Sequence, residues 1–220
     1  MIAAHHGVLA DAVFKPYVTG LLGRDFRSLR VVGTEPSVPA GLPLIVIGNH
    51  NTWWDGFFIY LLNLRVFRRR LYLMMAERQL KRFPFFSHVG AFSVNPGHPR
   101  SVRESLSYAA GLLSLKDTLL CVFPQGVMTP YGASALVFRP GLEKIVTMYG
   151  GEVALVQVAI KCAFLEERKP EVFFLLDDPV ISSAADFPGT RVFEERQAAL
   201  VERLDRIVMG GRADMPGRTL

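Results

Sequence analysis

The chain is 220 residues long, half of them hydrophobic, with a net charge of +5, a pI near 9.4 and a mean hydropathy of +0.25. That length suits one α/β domain with a full core, and the lack of any run of about 18 uncharged apolar residues excludes a spanning helix. His5, His6 and Asp11 interrupt the N-terminal stretch, which does not read as a secretory signal, so the cytoplasmic side is the expected location; the positive balance suits an anionic partner, a membrane or a nucleic acid.

In chain order, residues 8–30 carry Val8, Leu9, Val13, Phe14, Tyr17, Val18, Leu21, Leu22 and Phe26 at mostly helical spacing. Two readings stay open for that helix, an interfacial amphipathic helix or one packed on the domain. Gly33 to Pro43 holds three prolines and two glycines and reads as a loop. An apolar strand, Leu44 to Ile47, stops at Gly48, and a helix is expected over 56–64. The spacing then predicts a strand over 71–76, a short helix over 77–82 ending near Pro84, and a strand over 91–94. A helix over 101–115, a strand over 118–123 stopped by Pro124-Gln125-Gly126, and a helix over 141–149 follow. Strands over 153–160 and 172–176 precede a charged amphipathic helix over 191–209.

Short strands alternating with helices predict an α/β fold in a single domain, with a mixed, largely parallel sheet flanked by helices. The expected organisation is an N-terminal amphipathic helix and linker over 1–40, the domain over 41–210 and a loose tail over 211–220. Cys121 and Cys162 both sit in apolar strand-like runs and read as buried reduced thiols.

Chemistry concentrates at Gly48-Asn49-His50-Asn51-Thr52-Trp53-Trp54-Asp55, between a strand and a helix. Active residues commonly sit at the carboxyl ends of strands in such folds. On a continuous helix, residues five apart lie roughly 140° apart, poorly placed for contact. Across a turn entering a helix, the Asp55 carboxylate can fold back onto the His50 ring. A carboxylate on one ring nitrogen fixes the tautomer and leaves the other nitrogen to take a proton. That is a base without a protein nucleophile, suited to activating a bound hydroxyl. His6 and Asp11 share the same spacing, but no strand precedes them, and they read as a chance pair near a mobile terminus.

Taken with three further stretches, this segment resembles the glycerolphosphate and lysophospholipid acyltransferase family. Asn49-His50 with Asp55 matches that family's first motif, Asn-His, four residues, then Asp. Gly90-Ala91-Phe92-Ser93-Val94-Asn95 is similar to the second, Phe123-Pro124-Gln125-Gly126 to the third, Phe-Pro-Glu-Gly, and Ala154 to Ala159 to the fourth. The resemblance runs from about residue 44 to 161 and implies the family's fold. It further implies transfer of a fatty acyl group from a thioester, on CoA or acyl carrier protein, to a hydroxyl of a lipid acceptor in phospholipid or glycolipid synthesis. On that pattern His50 deprotonates the acceptor, Asp55 supports it, no acyl-enzyme forms, and no cofactor is needed beyond the thioester co-substrate. Asn95, Pro124, Gln125 and Gly126 fall where the family binds its acceptor, often through phosphate.

The departures bear on that acceptor. Asn95 stands where an arginine is expected, Gln125 for the glutamate, Val127-Met128 for Thr-Arg, and Gln157 for the fourth motif's proline. Asparagine cannot replace the charged bidentate contact of arginine to phosphate. The acceptor is therefore expected to be a glycolipid, another neutral lipid alcohol or a lysophospholipid with a larger head group. Arg78, Arg100, Arg103 and Arg139 are further candidate binders, and Arg100, Arg103 or Arg139 would be alternative sources of the missing charge.

Asn49 is expected to fix the turn, and backbone amides around Gly126 to face the developing oxyanion. Trp53 and Trp54 are candidates to wall the acyl or acceptor channel, or else to pack one beneath the turn and leave the other partly exposed. The cluster Arg65, Arg68, Arg69, Arg70, Arg78, Lys81 and Arg82 is interleaved with Phe67, Tyr72, Phe83, Phe85 and Phe86. It reads as a solvated basic face or as a contact for anionic headgroups on a peripheral membrane protein. With no zinc spacing or RNA-binding aromatic pattern, no nucleic-acid partner is expected. His50, His88 and His98 form no compact ligand spacing, and no metal is expected. No Gly-x-Ser-x-Gly elbow or Gly-rich phosphate loop is present. Two rival functions fit the same residues: a catalytically degenerate lipid-binding protein, and a thioesterase-like hydrolase in which His50 activates water.

Overall fold

A computed structural model of the protein describes residues 1–132, 136–211 and 217–220. The chain runs α1 (Val8–Asp25), β1 (Ser28–Val32), β2 (Leu44–Gly48), α2 (Asp55–Leu62), β3 (Arg70–Ala76), α3 (Glu77–Arg82), β4 (Ala91–Val94), α4 (Pro99–Leu112), β5 (Thr118–Val122), α5 (Gly141–Tyr149), β6 (Val153–Ala163), β7 (Glu171–Leu176), β8 (Val180–Ser182), α6 (Thr190–Met209) and β9 (Gly217–Thr219). The sheet order is β4-β3-β5-β2-β6-β7-β1-β9, with β8 on β6. Strands β4, β3, β5, β2 and β6 are parallel neighbours. Antiparallel β7 then reverses the direction, and β1 pairs parallel with β7. The central strands are buried on both faces, which is why Leu44–Gly48 and Thr118–Val122 carry no polar alternation.

Alternate residues sort onto the two faces. Val46, Leu71, Cys121 and Val158 join one core with α1 and α2. Ile47, Tyr72, Val122 and Leu155 join another with α4 and α5. Helix α6 covers the β1–β7 end of that second face.

Four expectations change at the ends of the chain. The helical spacing read over 8–30 stops at Asp25, because Phe26 turns extended and Arg27 N–H donates to Pro170 O. Ser28–Val32 is a strand with Leu29 and Val31 turned inward, so the 1–40 segment supplies part of the sheet rather than a linker alone. The tail expected to be loose ends in β9, which pairs antiparallel with Arg30–Val32; its residues 212–216 lie outside the described residues. The terminus around His6 is also tied down. Ile2 and Ser93 exchange hydrogen bonds, His5 N–H donates to Ser87 O, and Ala4 N–H donates to Tyr108 Oη, so the edge of β4 is covered.

Helix α1 packs on the domain, as one of its two readings expects. Phe14, Val18 and Leu22 form a buried stripe, while Val8, Leu9, Val13 and Tyr17 face outward. Among the described residues no helix is long and apolar enough to cross a membrane.

Candidate active site

Strand β2 ends at Gly48, where the Phe123 ring leaves no room for a side chain; a Cβ there would lie 2.9 Å from Phe123 Cε1. That ring stacks on His50, with centroids 4.5 Å apart and planes 18° from parallel. Asn49 is buried and extends the β2–β6 pairing with its side chain. Its Oδ1 accepts from Ile160 N–H at 2.8 Å, and its Nδ2 donates to Ile160 O at 2.8 Å and also to Asn51 Oδ1. The turn is thereby held at the C-terminal edge of the sheet before α2 begins.

Asp55 is the first residue of α2, where the helix dipole favours an anion, and its side chain is buried. Its Oδ2 accepts from His50 Nδ1 at 2.8 Å, Asn51 N–H at 2.7 Å and Thr52 N–H at 2.9 Å, and Oδ1 accepts from Thr52 Oγ1 at 2.6 Å. Four donors offset the desolvation of the carboxylate. Nδ1 of His50 is thus committed to Asp55, and Nε2 is the nitrogen left for a substrate proton.

A second loop closes over the first. Gln125, also buried, accepts from His50 N–H through Oε1 at 2.7 Å and donates through Nε2 to Thr129 Oγ1 at 2.5 Å. Thr129 N–H donates to His50 O at 2.9 Å, and Asn51 Nδ2 donates to Thr129 O at 2.7 Å. Gln125 is therefore a positioning residue for the histidine turn, and it is absent from the cavity wall. Gly126 takes φ +69°, and a Cβ there would lie 2.9 Å from Arg139 Nε, so the arginine lies against a residue that must be glycine. The amide of Gly126 donates to Phe123 O at 3.0 Å. It is spent in the turn and is not free for an oxyanion, which corrects the expectation for that group.

His50 opens onto a cavity of about 630 Å³. Trp53, Arg78, Pro124, Gly126 and Arg139 share its wall. Trp54 does not; it packs against Phe26 beneath the turn, while Trp53 is 46% exposed. Asn95 caps its own turn by accepting from Gly97 N–H, outside the cavity wall. Arg100 and Arg103 point to solvent on α4, Arg100 beside Glu104 at 3.4 Å. The structure therefore leaves Asn95, Arg100 and Arg103 outside the cavity wall and keeps Arg78 and Arg139 in it. Gln157 faces α6, donating to Phe193 O and Gln197 Oε1. The sequence did not point to Thr129, to the Phe123 stack or to which residues line the apolar walls; only the closeness of Thr129 to Gly126 hinted at the first.

Neither thiol is poised as a nucleophile. Burial, with the nearby Asp55 charge second, pushes Cys162 up to about 11 and Cys121 higher still, so both stay protonated. Cys162 is half-buried rather than fully buried. The His6–Asp11 pair is a real contact at 3.7 Å, yet His6 Nε2 also donates to Leu71 O at 3.0 Å. Both of its nitrogens have protein partners, so that pair holds the N-terminal segment to the sheet.

Residues 28–161 match the protein-family model described as Acyltransferase. No curated protein matches the chain. Among solved structures, the chain is similar to the crystal structure of the 1-acyl-sn-glycerophosphate (LPA) acyltransferase PlsC from Thermotoga maritima. The TM-score is 0.64 at 17% identity, over 92% of this chain and 81% of that one.

Proposed function

The chain belongs to the acyltransferase family, and from that premise we propose that it moves a fatty acyl group from a thioester to a hydroxyl of a lipid acceptor. The observation that carries this is one histidine with Nδ1 bound to a buried carboxylate at 2.8 Å, in the wall of an apolar cavity. In this reading Nε2 of His50 takes the acceptor hydroxyl proton as the oxygen attacks the thioester carbonyl. The C–O ester bond forms, the C–S bond breaks, and the imidazolium returns the proton to the departing thiolate. Asp55 stabilises the imidazolium through its carboxylate, and Gln125 holds the His50 backbone. No protein nucleophile enters, so no acyl-enzyme is expected. The thioester carrier is CoA or acyl carrier protein.

Arg78 and Arg139 are the acceptor's candidate cations. Each lies in the cavity wall and makes no ion pair among the described residues. They are candidates to supply charge that Asn95 does not, and it is the asparagine at 95, unable to make an arginine's bidentate contact to phosphate, that favours a glycolipid or a lysophospholipid with a larger head group over a phosphate monoester. Peripheral membrane attachment fits the outward apolar stripe of α1 and the exposed Phe85, which packs on Phe14 beside Lys81 and Arg82.

The test is product analysis with purified protein, labelled palmitoyl thioester on either carrier, and phosphorylated, glycosylated and neutral lipid alcohols. An acylated lipid supports the proposal. Free fatty acid alone would make the protein a hydrolase, and lipid binding without turnover would make it a binding protein.

A further inference from the structure

Strand β2 runs through four bulky apolar residues, Leu44 to Ile47, and then reaches Gly48, which pairs with Val158 as an ordinary strand residue. Its φ is not positive, so the backbone there would accept a side chain. Space is what forbids one. A Cβ at Gly48 would lie 2.9 Å from Cε1 and 3.3 Å from Cδ1 of Phe123, against an ordinary 3.8 Å from Ile160 Cδ1. The ring that needs this room is the one stacked on His50, 4.5 Å away and 18° from parallel, and both rings line the cavity.

From this we infer that Phe123 is a positioning residue for His50, holding the imidazole in one plane and stabilising the positive charge it takes up, and that Gly48 is glycine so that Phe123 can occupy that place. The inference rests on the reading above in which His50 is the base. One hydrogen bond, from Nδ1 to Asp55 at 2.8 Å, fixes one edge of the imidazole and still lets the ring swing about it. A flat ring against its face removes that swing. The direction of Nε2 is then set before the acceptor arrives.

The second effect is electrostatic. The face of a benzene ring is the negative part of its quadrupole and attracts a cation within about 6 Å of its centre. Neutral imidazole gains less from that face than the imidazolium formed when Nε2 takes the hydroxyl proton, so the contact strengthens as the reaction proceeds. The surrounding wall is largely apolar, from Tyr60 on α2 to Leu106 on α4 and Ile145 on α5, and supplies little solvation to the new charge. The charged groups of the site are Asp55 on α2, Arg78 on α3, Arg139 just before α5 and Lys144 on α5. A leucine at 123 fills similar space and leaves these charges in place, so it tests the ring face and not the burial.

The experiment compares wild type, Gly48→Ala, Phe123→Leu, the double variant, and a protein carrying pentafluorophenylalanine at 123, whose ring keeps its shape while the sign of its face is reversed. NMR of the free protein with carbon-labelled histidine reads the stack without any substrate. The carbon-bound ring protons of His50 should be shifted upfield by the Phe123 ring in wild type, and that shift should vanish in Gly48→Ala and Phe123→Leu. Gly48→Ala should lower kcat by about 10- to 100-fold with KM little changed. Adding Phe123→Leu to it should cost no more than Phe123→Leu alone, because both changes remove one contact. The pentafluoro ring should move the acid limb of the pH–rate profile down by about half a unit to one unit and lower kcat by up to about tenfold. Gly48→Ala with wild-type shifts and rate, or losses that multiply in the double variant, overturns the inference. An unchanged pH profile with the pentafluoro ring overturns its electrostatic half. If Gly48→Ala does not fold, Phe123→Leu and the pentafluoro protein decide both points. Absence of transfer by wild type would instead sink the acyl-transfer reading, and a pH titration of the same His50 protons in the free proteins would still decide the stack.

Discussion

The backbone amide of His50 donates to Oε1 of Gln125 at 2.7 Å, tying the turn that carries the histidine to the loop after β5. The same side chain reaches Thr129, whose amide returns to His50 O. Gln125→Ala should therefore loosen the histidine rather than remove a substrate contact. The expected result is a fall in kcat of up to about 100-fold, the cost of a small misplacement, with KM for the acceptor little changed. Gln125→Glu keeps an acceptor for His50 N–H and can accept from the Thr129 hydroxyl. It should fold normally and move the acid limb of the pH–rate profile upward, because a nearby negative charge favours protonated His50. Steady-state kinetics across pH check both.

Asp55→Asn should preserve the turn while losing the carboxylate that fixes the His50 tautomer. Activity should fall on the order of 10³- to 10⁴-fold, with circular dichroism unchanged. A loss below about tenfold would show that Asp55 serves the fold and not the base.

Asn49→Ala removes both bonds to Ile160 and leaves buried backbone groups without partners. The expected cost is about 2–4 kcal/mol, a Tm loss on the order of 10 °C, measured by thermal unfolding.

His6 titrates below its ordinary value, chiefly because burial disfavours its charged form and secondly because Arg70 repels it, with Asp11 opposing. The unfolded chain thus binds this proton more readily than the folded one. Stability should fall as pH drops through about 6.5, the unfolded value, and level off below the folded value. His6→Gln should flatten that part of the Tm–pH curve.

Leu9→Glu with Val13→Glu places charge on the outward stripe of α1, whose side chains are 80% and 55% exposed. Cosedimentation with anionic vesicles should drop while transfer to a short-chain soluble acceptor is retained. Unchanged sedimentation would remove α1 from the membrane contact.

The strands from β2 to β7 were legible because fully buried parallel strands leave continuous apolar runs such as Leu44 to Ile47. β1 was not, because Phe26 continues the helical spacing of α1 while Leu29 and Val31 begin a strand of only five residues. β9 carries no buried residue and forms only because Val31 and its neighbours offer an open edge. At the site, Asn49, His50 and Asp55 were legible because they sit within one turn. Arg100 and Arg103 were plausible by proximity to Asn95, but the apolar face of α4, with Leu106 and Ala110, packs inward and turns them to solvent. Gln125 looked like a binder because its role depends on a donor, His50 N–H, on a turn distant in sequence, which spacing cannot show. Tyr60, Leu106 and Ile145 meet only through the sheet, so no local pattern joins them to His50.

The most direct test of His50 as general base is single-turnover acyl transfer from labelled palmitoyl thioester, comparing wild type with folded His50→Ala. The account predicts acylated acceptor without any protein-bound label in wild type, and a rate lower by about 10²- to 10⁴-fold in the variant. A folded variant that transfers at the wild-type rate, or an acyl group trapped on the protein on the way to product, would contradict it.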